Sequence, residues 1–214
     1  MPNKNLRYIA KRAKKFFAGA KGSHDWDHTQ RVYNLCLHIG KTEKANMEIL
    51  KIAALLHDIG RGHQDQCKGA ICHAEKGAEL ARQLLSEAGM QKEKIDRIIH
   101  CIETHRFRGK KIPETIEAKI LFDADKLDSI GAVGIGRDFL FAGEIGAKLH
   151  NKDVNIKKTK TYTKEDTVYR EYLVKLRKVK GRMLTKVGKR LARGRHKFMV
   201  EFFDRMNKEV DGIL

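Results

Sequence analysis

Proline is nearly absent from this chain, with two among 214 residues, and no low-complexity tract, internal repeat or Pro-rich linker breaks it up. That excludes an extended array of modules on spacers, and one compact body is expected. No apolar run approaches the ~20 residues that cross a bilayer, and the first residues lack the apolar stretch of a secretory signal, so a soluble, cytoplasmic protein is expected. The four cysteines, Cys36, Cys67, Cys72 and Cys101, form no C-x-x-C pair. A zinc ribbon or a disulfide framework is therefore disfavoured, and reduced thiols are expected. Aromatic residues make up only 7% of the chain, which leaves its basic helices without the interleaved Tyr and Trp of a base-stacking platform.

Acidic residues are scarce too, but only at the two ends. The formal net charge is +18, yet residues 22–150 carry 19 basic and 19 acidic side chains, whereas residues 1–21 hold seven Lys/Arg and no acid and residues 151–214 hold 19 basic against 8 acidic. A neutral body with basic ends concentrates anions near those ends and has the charge to hold nucleic acid; a solvated Lys/Arg helix surface gives the same count.

What the chain does have is helical periodicity. The most informative stretch is ILKIAALLHDIG, residues 49–60, apolar at nearly every position from Ile49 to Leu56, as in a helix surrounded by core. It ends in His57 and Asp58, with Gly60 placed to stop the helix through a positive φ. A buried carboxylate without a partner costs several kcal/mol, about 2–7 even for a neutral polar group. Adjacent helical side chains point about 100° apart, so His57 and Asp58 do not bond each other easily, which leaves a basic neighbour or a shared ion on which both can converge.

Other segments follow. Leu6, Ile9, Ala10, Ala13, Phe16 and Phe17 give a packed first helix closed by Gly19. Val32, Leu35, Cys36 and Ile39 give a second, with His28 inside it and His24 in the polar lead-in as a capping or substrate-side residue. Residues 61–71 lack periodicity and read as a loop over the end of the central helix. Helices are expected from His73 to Gly89 and through KEKIDRIIHCIETHRF, the latter ending at Glu103, His105 and Arg106. Thr115 caps a further helix in which Asp123, Asp125 and Asp128 interrupt buried apolar positions, an arrangement unlike surface decoration. Gly131, Gly134 and Gly136 permit close backbone approach but lack the preceding strand of a dinucleotide fingerprint. Beyond His150 a basic loop with a hairpin around Val154–Tyr162 is expected, then Thr163 and Asp166 as N-cap and N3 partner of a helix, and a last helix over Leu184–Val210.

Collected, His28, His57, Asp58 and one of Asp123 or Asp125 make a mixed imidazole and carboxylate set. Such donors suit Mn²⁺, Fe²⁺, Co²⁺, Ni²⁺ or Zn²⁺ rather than Ca²⁺.

The order of His28, His57-Asp58 and Asp125 in Ala124-Asp125-Lys126-Leu127 resembles the H…HD…D signature of the HD superfamily of metal-dependent phosphohydrolases. HDWDHTQRV, LLHDIG, HAEKGAELA, EAKILFDADKLDSIGAVGIGR and REYLVKLRK…RHKFMVEFF resemble its small stand-alone branch over roughly residues 20–210. The resemblance implies an all-α fold, an HD-domain helical bundle with a C-terminal helical hairpin, in a single domain 1–214 with its core at about 20–150 and a basic extension at 151–214. It makes His28, His57, Asp58 and Asp125 the metal ligands, Asp125 being favoured over Asp123 by its A-D-x-L context. Other branches bind a second metal through added histidines. His73 and His105 lie near those places, but no bridging acid is evident, so one ion is expected, with His73 and His105 facing substrate or buried as satisfied core histidines.

The implied activity is a metal-activated water attacking a phosphoester or phosphoanhydride of a nucleotide-like substrate. Asp58 or Asp128 would orient or deprotonate that water, with His73, His105 and Lys126 holding phosphate oxygens. His24, Arg31, Arg61 and Arg137 would bind substrate, Arg31 alternatively pairing with a ligand carboxylate. Two other functions compete: a nucleic-acid-binding HD protein using its basic ends around a structural metal, and a di-iron oxygenase on the same scaffold. No membrane partner is expected.

Overall fold

The computed structural model describes all residues except 1–3, 20–24, 68–70, 107–110 and 154, and not the side chains of 65 and 66. Among the described residues the chain is all-α, without a strand. No described helix is long and apolar enough to cross a membrane.

Packing divides the chain into two units, Met1–Asp125 and Lys126–Leu214. The division falls inside a helix, whereas the sequence changes character at 150/151, where charge rather than packing changes.

In the first unit, α1 (Lys4–Lys15), α2 (Trp26–Thr42) and α6 (Lys92–Thr104) all pack on α3 (Met47–Leu56). Every residue of α3 from Ile49 to Leu56 except Lys51 is buried, so the apolar run does mark the element the others surround. Ile9, Ala13 and Phe17 are buried as well, which makes α1 a packed helix. The start of α3 is fastened twice. Asn46 Oδ1 accepts from the amides of Glu48 and Ile49 at 3.1 and 3.2 Å, while the Asn46 amide donates to Glu117 Oε1 at 2.7 Å. Glu117 belongs to α7 (Ile116–Asp128), whose first turn is capped by Thr115 Oγ1 accepting from the Ala118 amide at 3.2 Å.

The end of α3 departs from the expectation in its mechanism. His57 keeps helical torsions, φ −59° and ψ −35°, and a turn over 57–60 follows. Gly60 is not in the positive-φ region. It is required because a Cβ there would lie 2.3 Å from the His73 carbonyl oxygen and 2.5 Å from the Gly77 amide of α5 (His73–Glu87). The HD turn thus crosses α5 backbone against backbone. Residues 61–66, read as loop, form the short helix α4 (Arg61–Gln66); six residues are too few to show a period.

In the second unit, α8 (Gly131–Glu144) packs on the long α11 (Lys186–Val210). Gly131, at φ +78°, lies under the Arg195 side chain, and a Cβ on Gly134 would meet Ser129 O at 2.4 Å. Close approach is therefore the role of both; around Gly136 the space is open.

The expected hairpin around 154–162 is replaced by a 3₁₀ turn over Ile156–Lys158 capped by Asn155, Val154 being outside the described residues. The next N-cap is Thr167, which accepts from the Arg170 amide at 3.1 Å, rather than Thr163. Asp166 instead holds the buried Arg170 guanidinium at 2.7 Å and accepts from the Tyr162 amide at 2.8 Å. The helical run then continues as α9 (Val168–Glu171), a π-helical stretch (Tyr172–Leu176), α10 (Arg177–Val179) and a 3₁₀ turn (Lys180–Arg182), before α11 folds back beside it. Tyr172 stacks on Phe203 at 4.4 Å between ring centroids, and Asn207 donates to the Tyr169 hydroxyl at 3.3 Å, closing the C-terminal helical hairpin.

Candidate metal centre

Six side chains from α2, the HD turn, α5, the end of α6 and α7 converge within the first unit. His28 is one turn into α2, whose N-cap is Asp25, accepting from the His28 amide at 2.9 Å. The capping role offered to His24 thus falls to Asp25, and His24 itself lies outside the described residues. His57 and Asp58 come from the turn that Gly60 presses against α5, His73 opens α5, His105 follows α6, and Asp125 is on α7.

The donor atoms form two groups, His28 with His57 and Asp125, and Asp58 with His73 and His105, each lying within 4.8 Å of one another. Asp58 faces both. Its Oδ1 is 3.3 Å from His73 Nε2 and 3.5 Å from His105 Nε2; its Oδ2 is 3.6 Å from His28 Nε2 and 3.9 Å from His57 Nε2. Asp125 Oδ1 lies 3.4 Å from His28 Nε2. Asp123, the alternative from the same helix, is buried and belongs to neither group.

Three of the imidazoles have fixed tautomers. His57 Nδ1 donates to Ala54 O at 2.8 Å and His105 Nδ1 to Ile102 O at 2.6 Å; a carbonyl accepts only, so both Nδ1 atoms carry the proton. His73 opens its helix and has no carbonyl one turn earlier in α5. Its Nδ1 donates instead to Gln64 Oε1 at 2.9 Å, and the same oxygen accepts from the His73 amide at 3.3 Å and from Arg106 Nη1 at 2.9 Å. Each Nε2 therefore presents a lone pair inward.

The pairs so created test whether a cation fits. His73 Nε2 and His105 Nε2 lie 3.1 Å apart with no proton between them to share, and the His57 Nε2 lone pair faces His28 Nε2 at 3.4 Å. Opposed lone pairs in a buried site repel, and a divalent ion between them turns that repulsion into ligation. Protonation state agrees. Burial draws His57 down to about 4 and His73 down to about 3, keeping both neutral. Burial works against the charge of Asp58, yet a proton entering the cluster settles on an imidazole, and the charge that His57, His73 or His105 then carries holds the Asp58 carboxyl well below the ordinary value. Neutral imidazoles with ionised carboxylates are the forms that bind transition metals.

Around this centre, Arg61 Nη1 is 3.4 Å from His73 Nδ1, and Arg106 Nη1 also reaches Cys72 Sγ at 3.6 Å, so two guanidinium groups border the His73 side. Arg31 is half-buried on α2. Asp128 and Arg137 belong to the second unit and bond each other, Arg137 Nη1 donating to Asp128 Oδ2 at 2.8 Å and to its carbonyl at 3.2 Å; Lys126 is in that unit as well. Sequence reading missed Gln64, Arg106 and the two-sided placement of Asp58. Gln64 sits where no periodicity singles it out, and which way a carboxylate faces is set only by packing.

The HD domain family matches residues 25–130. YpgQ of Bacillus subtilis is 38% identical over 195 residues, spanning 89% of this chain and 86% of YpgQ. This chain belongs to the HD-domain family. The crystal structure of YpgQ in complex with ADP is similar with a TM-score of 0.75 at 32% identity, covering 98% of this chain and 100% of that one. A crystal structure of an HD-superfamily hydrolase from Bacillus thuringiensis has a TM-score of 0.73 at 25% identity, covering 97% of each chain. Ribonuclease Y of Chloroflexus aurantiacus is 34% identical over 106 residues, 50% of this chain but 18% of that protein. The fold is that of the HD-superfamily hydrolases.

Proposed function

We propose that this HD protein is a metal-dependent phosphohydrolase acting on a phosphoester or phosphoanhydride bond of a nucleotide-like substrate. The observation that carries the reading is the pair of donor groups on either side of Asp58, at the end of the central helix. The binding of ADP by YpgQ supports a nucleotide as the substrate class. A divalent ion bound here supplies an acidified water and polarises a phosphoryl oxygen.

The chain's own residues do the rest. His28, His57, Asp58 and Asp125 hold one ion, and Asp58, His73 and His105 offer donors for a second. Gln64 keeps the His73 proton on Nδ1 and its lone pair inward. Arg61 and Arg106, already beside His73, meet phosphate oxygens with charged, forked donors. The roles of Lys126, Asp128, Arg137, Arg31 and His24 rest on sequence position, and alanine variants test each by the split between kcat and KM.

The deciding experiment strips the protein of metal, reloads it with Mn²⁺, Fe²⁺, Co²⁺, Ni²⁺ or Zn²⁺, and follows phosphate and pyrophosphate release from nucleoside mono-, di- and triphosphates. Turnover lost in Asp58→Ala is the expected result. Absence of turnover on every phosphoester, or full turnover in Asp58→Ala, overturns the reading. The second donor group also favours one alternative, a dinuclear iron oxygenase; two irons per chain with substrate-dependent oxygen uptake and no phosphate release would establish it instead.

A further inference from the structure

Between Tyr172 and Val200 the chain contains eleven Lys/Arg and no acidic residue. The hairpin gathers them. Lys186, Lys189, Arg190, Arg193 and Lys197 are all exposed and follow the i, i+3, i+4, i+7, i+11 spacing of a single face of α11, a line about 16 Å long at 1.5 Å per residue. None of Lys186, Lys189, Arg190 or Arg193 pairs with an acid among the described residues, and Lys197 meets only the exposed Glu201 at 3.7 Å. α10 and the 3₁₀ turn that follows it add exposed Arg177, Lys178 and Lys180. Lys180 is near enough to His196 to help burial lower its pKa, which puts that turn beside the middle of α11.

Cations left unpaired this close together repel one another, so the face is complementary to a row of negative charge. We infer that the exposed face of α11 is a binding surface for a nucleic-acid backbone, contacting phosphates without reading bases. Three features favour that partner over a lipid surface. An interfacial helix sinks its apolar face into the bilayer, but Val187, Ala192, Met199 and Phe203 are already buried in the hairpin and its neighbours. On or beside the cationic line only Leu184 and Phe198 are exposed apolar side chains, too few to anchor a helix. The five cations of α11 lie in a line rather than over a plane. The same scarcity of aromatics leaves no stacking platform, so binding is insensitive to sequence.

The test uses the full chain and fluorescence anisotropy with labelled 25-mer duplex DNA and RNA of unrelated sequences. The affinity is expected to fall about 150- to 500-fold between 50 and 200 mM salt, as release of counterions from four or five phosphates requires. Lys189→Glu/Arg190→Glu/Arg193→Glu is expected to weaken binding at least tenfold at fixed salt. Lys11→Glu/Lys14→Glu/Lys41→Glu makes the same change in net charge on exposed residues elsewhere and is expected to weaken it less than threefold. The neutral triple Lys189→Gln/Arg190→Gln/Arg193→Gln carries the test if the reversal variant does not fold. Equal losses in the α11 and control triples overturn the inference. So does tighter binding to vesicles with 30% phosphatidylserine than to either duplex.

Discussion

At the scale of single residues, Gln64 shows how a neutral side chain governs a charged site. Two of the inward imidazoles are oriented by carbonyls of their own helices, but His73 stands at a helix start and depends on this one amide oxygen. Removing such an orienting partner typically costs 10–100-fold in metal affinity or activity. Gln64→Ala is therefore expected to lower affinity at the Asp58, His73 and His105 group by about that factor while leaving the His28, His57 and Asp125 group intact. Metal content per chain, read by mass spectrometry across a chelator series, checks it; equal loss from both groups would show that Gln64 supports the fold instead.

At the scale of elements, the crossing of the HD turn over α5 decides where the site forms. Gly60→Ala would set a methyl 2.3 Å from the His73 carbonyl oxygen, backbone that cannot move aside as a side chain does. Overpacking of this kind costs about 1–3 kcal/mol, or more where backbone must shift, and the displaced segments carry Asp58 and His73. Gly60→Ala is expected to lower the urea midpoint and metal affinity together, whereas Gly136→Ala, in open space within α8, should leave metal affinity unchanged and stabilise the chain by about 0.5–1 kcal/mol through helix propensity.

A second prediction at this scale concerns Asp138 on α8, whose Oδ2 is sealed from solvent without a hydrogen-bond partner among the described residues. Burial first, then Glu171, raises its carboxyl to about 7. The unfolded chain ionises this group near pH 4 while the folded chain keeps it protonated, so its contribution to stability is complete below about pH 4 and is lost as the pH rises towards 7. Asp138→Asn removes the penalty, and is expected to gain about 4 kcal/mol relative to the parent between pH 4 and pH 8. Chemical denaturation at the two pH values measures the difference; no change in it would mean the carboxylate is solvated.

At the scale of the whole molecule, an ion held by side chains from several helices would tie folding to ligation. An ion that binds only the folded chain stabilises it by RT ln(1 + [L]/Kd), about 2.7 kcal/mol at a hundredfold excess over Kd. Stripping with chelator is expected to lower Tm and reloading to restore it, with Asp58→Ala insensitive to both. Calorimetry at fixed protein concentration reports this directly, and a metal-independent Tm in the parent would separate the cluster from any ion. Charge follows a different rule at this scale. The basic excess is confined to the ends of the chain, and the HD segment itself is neutral.

Periodicity and chemistry along the chain determined a good deal without coordinates: a helical chain, α3 as its central helix, the cap at Thr115, and His28, His57, Asp58 and one of Asp123 or Asp125 as the residues to watch, the resemblance to the HD superfamily then favouring Asp125. These are legible because burial leaves a repeat in the sequence, and because a histidine or carboxylate within an apolar run is costly enough to stand out. Tertiary structure alone decided the rest. Gly60 serves a backbone crossing instead of a positive φ, Thr167 rather than Thr163 caps α9, and a 3₁₀ turn stands where a hairpin was expected, since each depends on what a distant segment brings into contact. Above all, that Asp58 turns one oxygen to each group of imidazoles is a matter of orientation. Sequence spacing fixes which residues share a helix; only packing between helices fixes which atoms face one another.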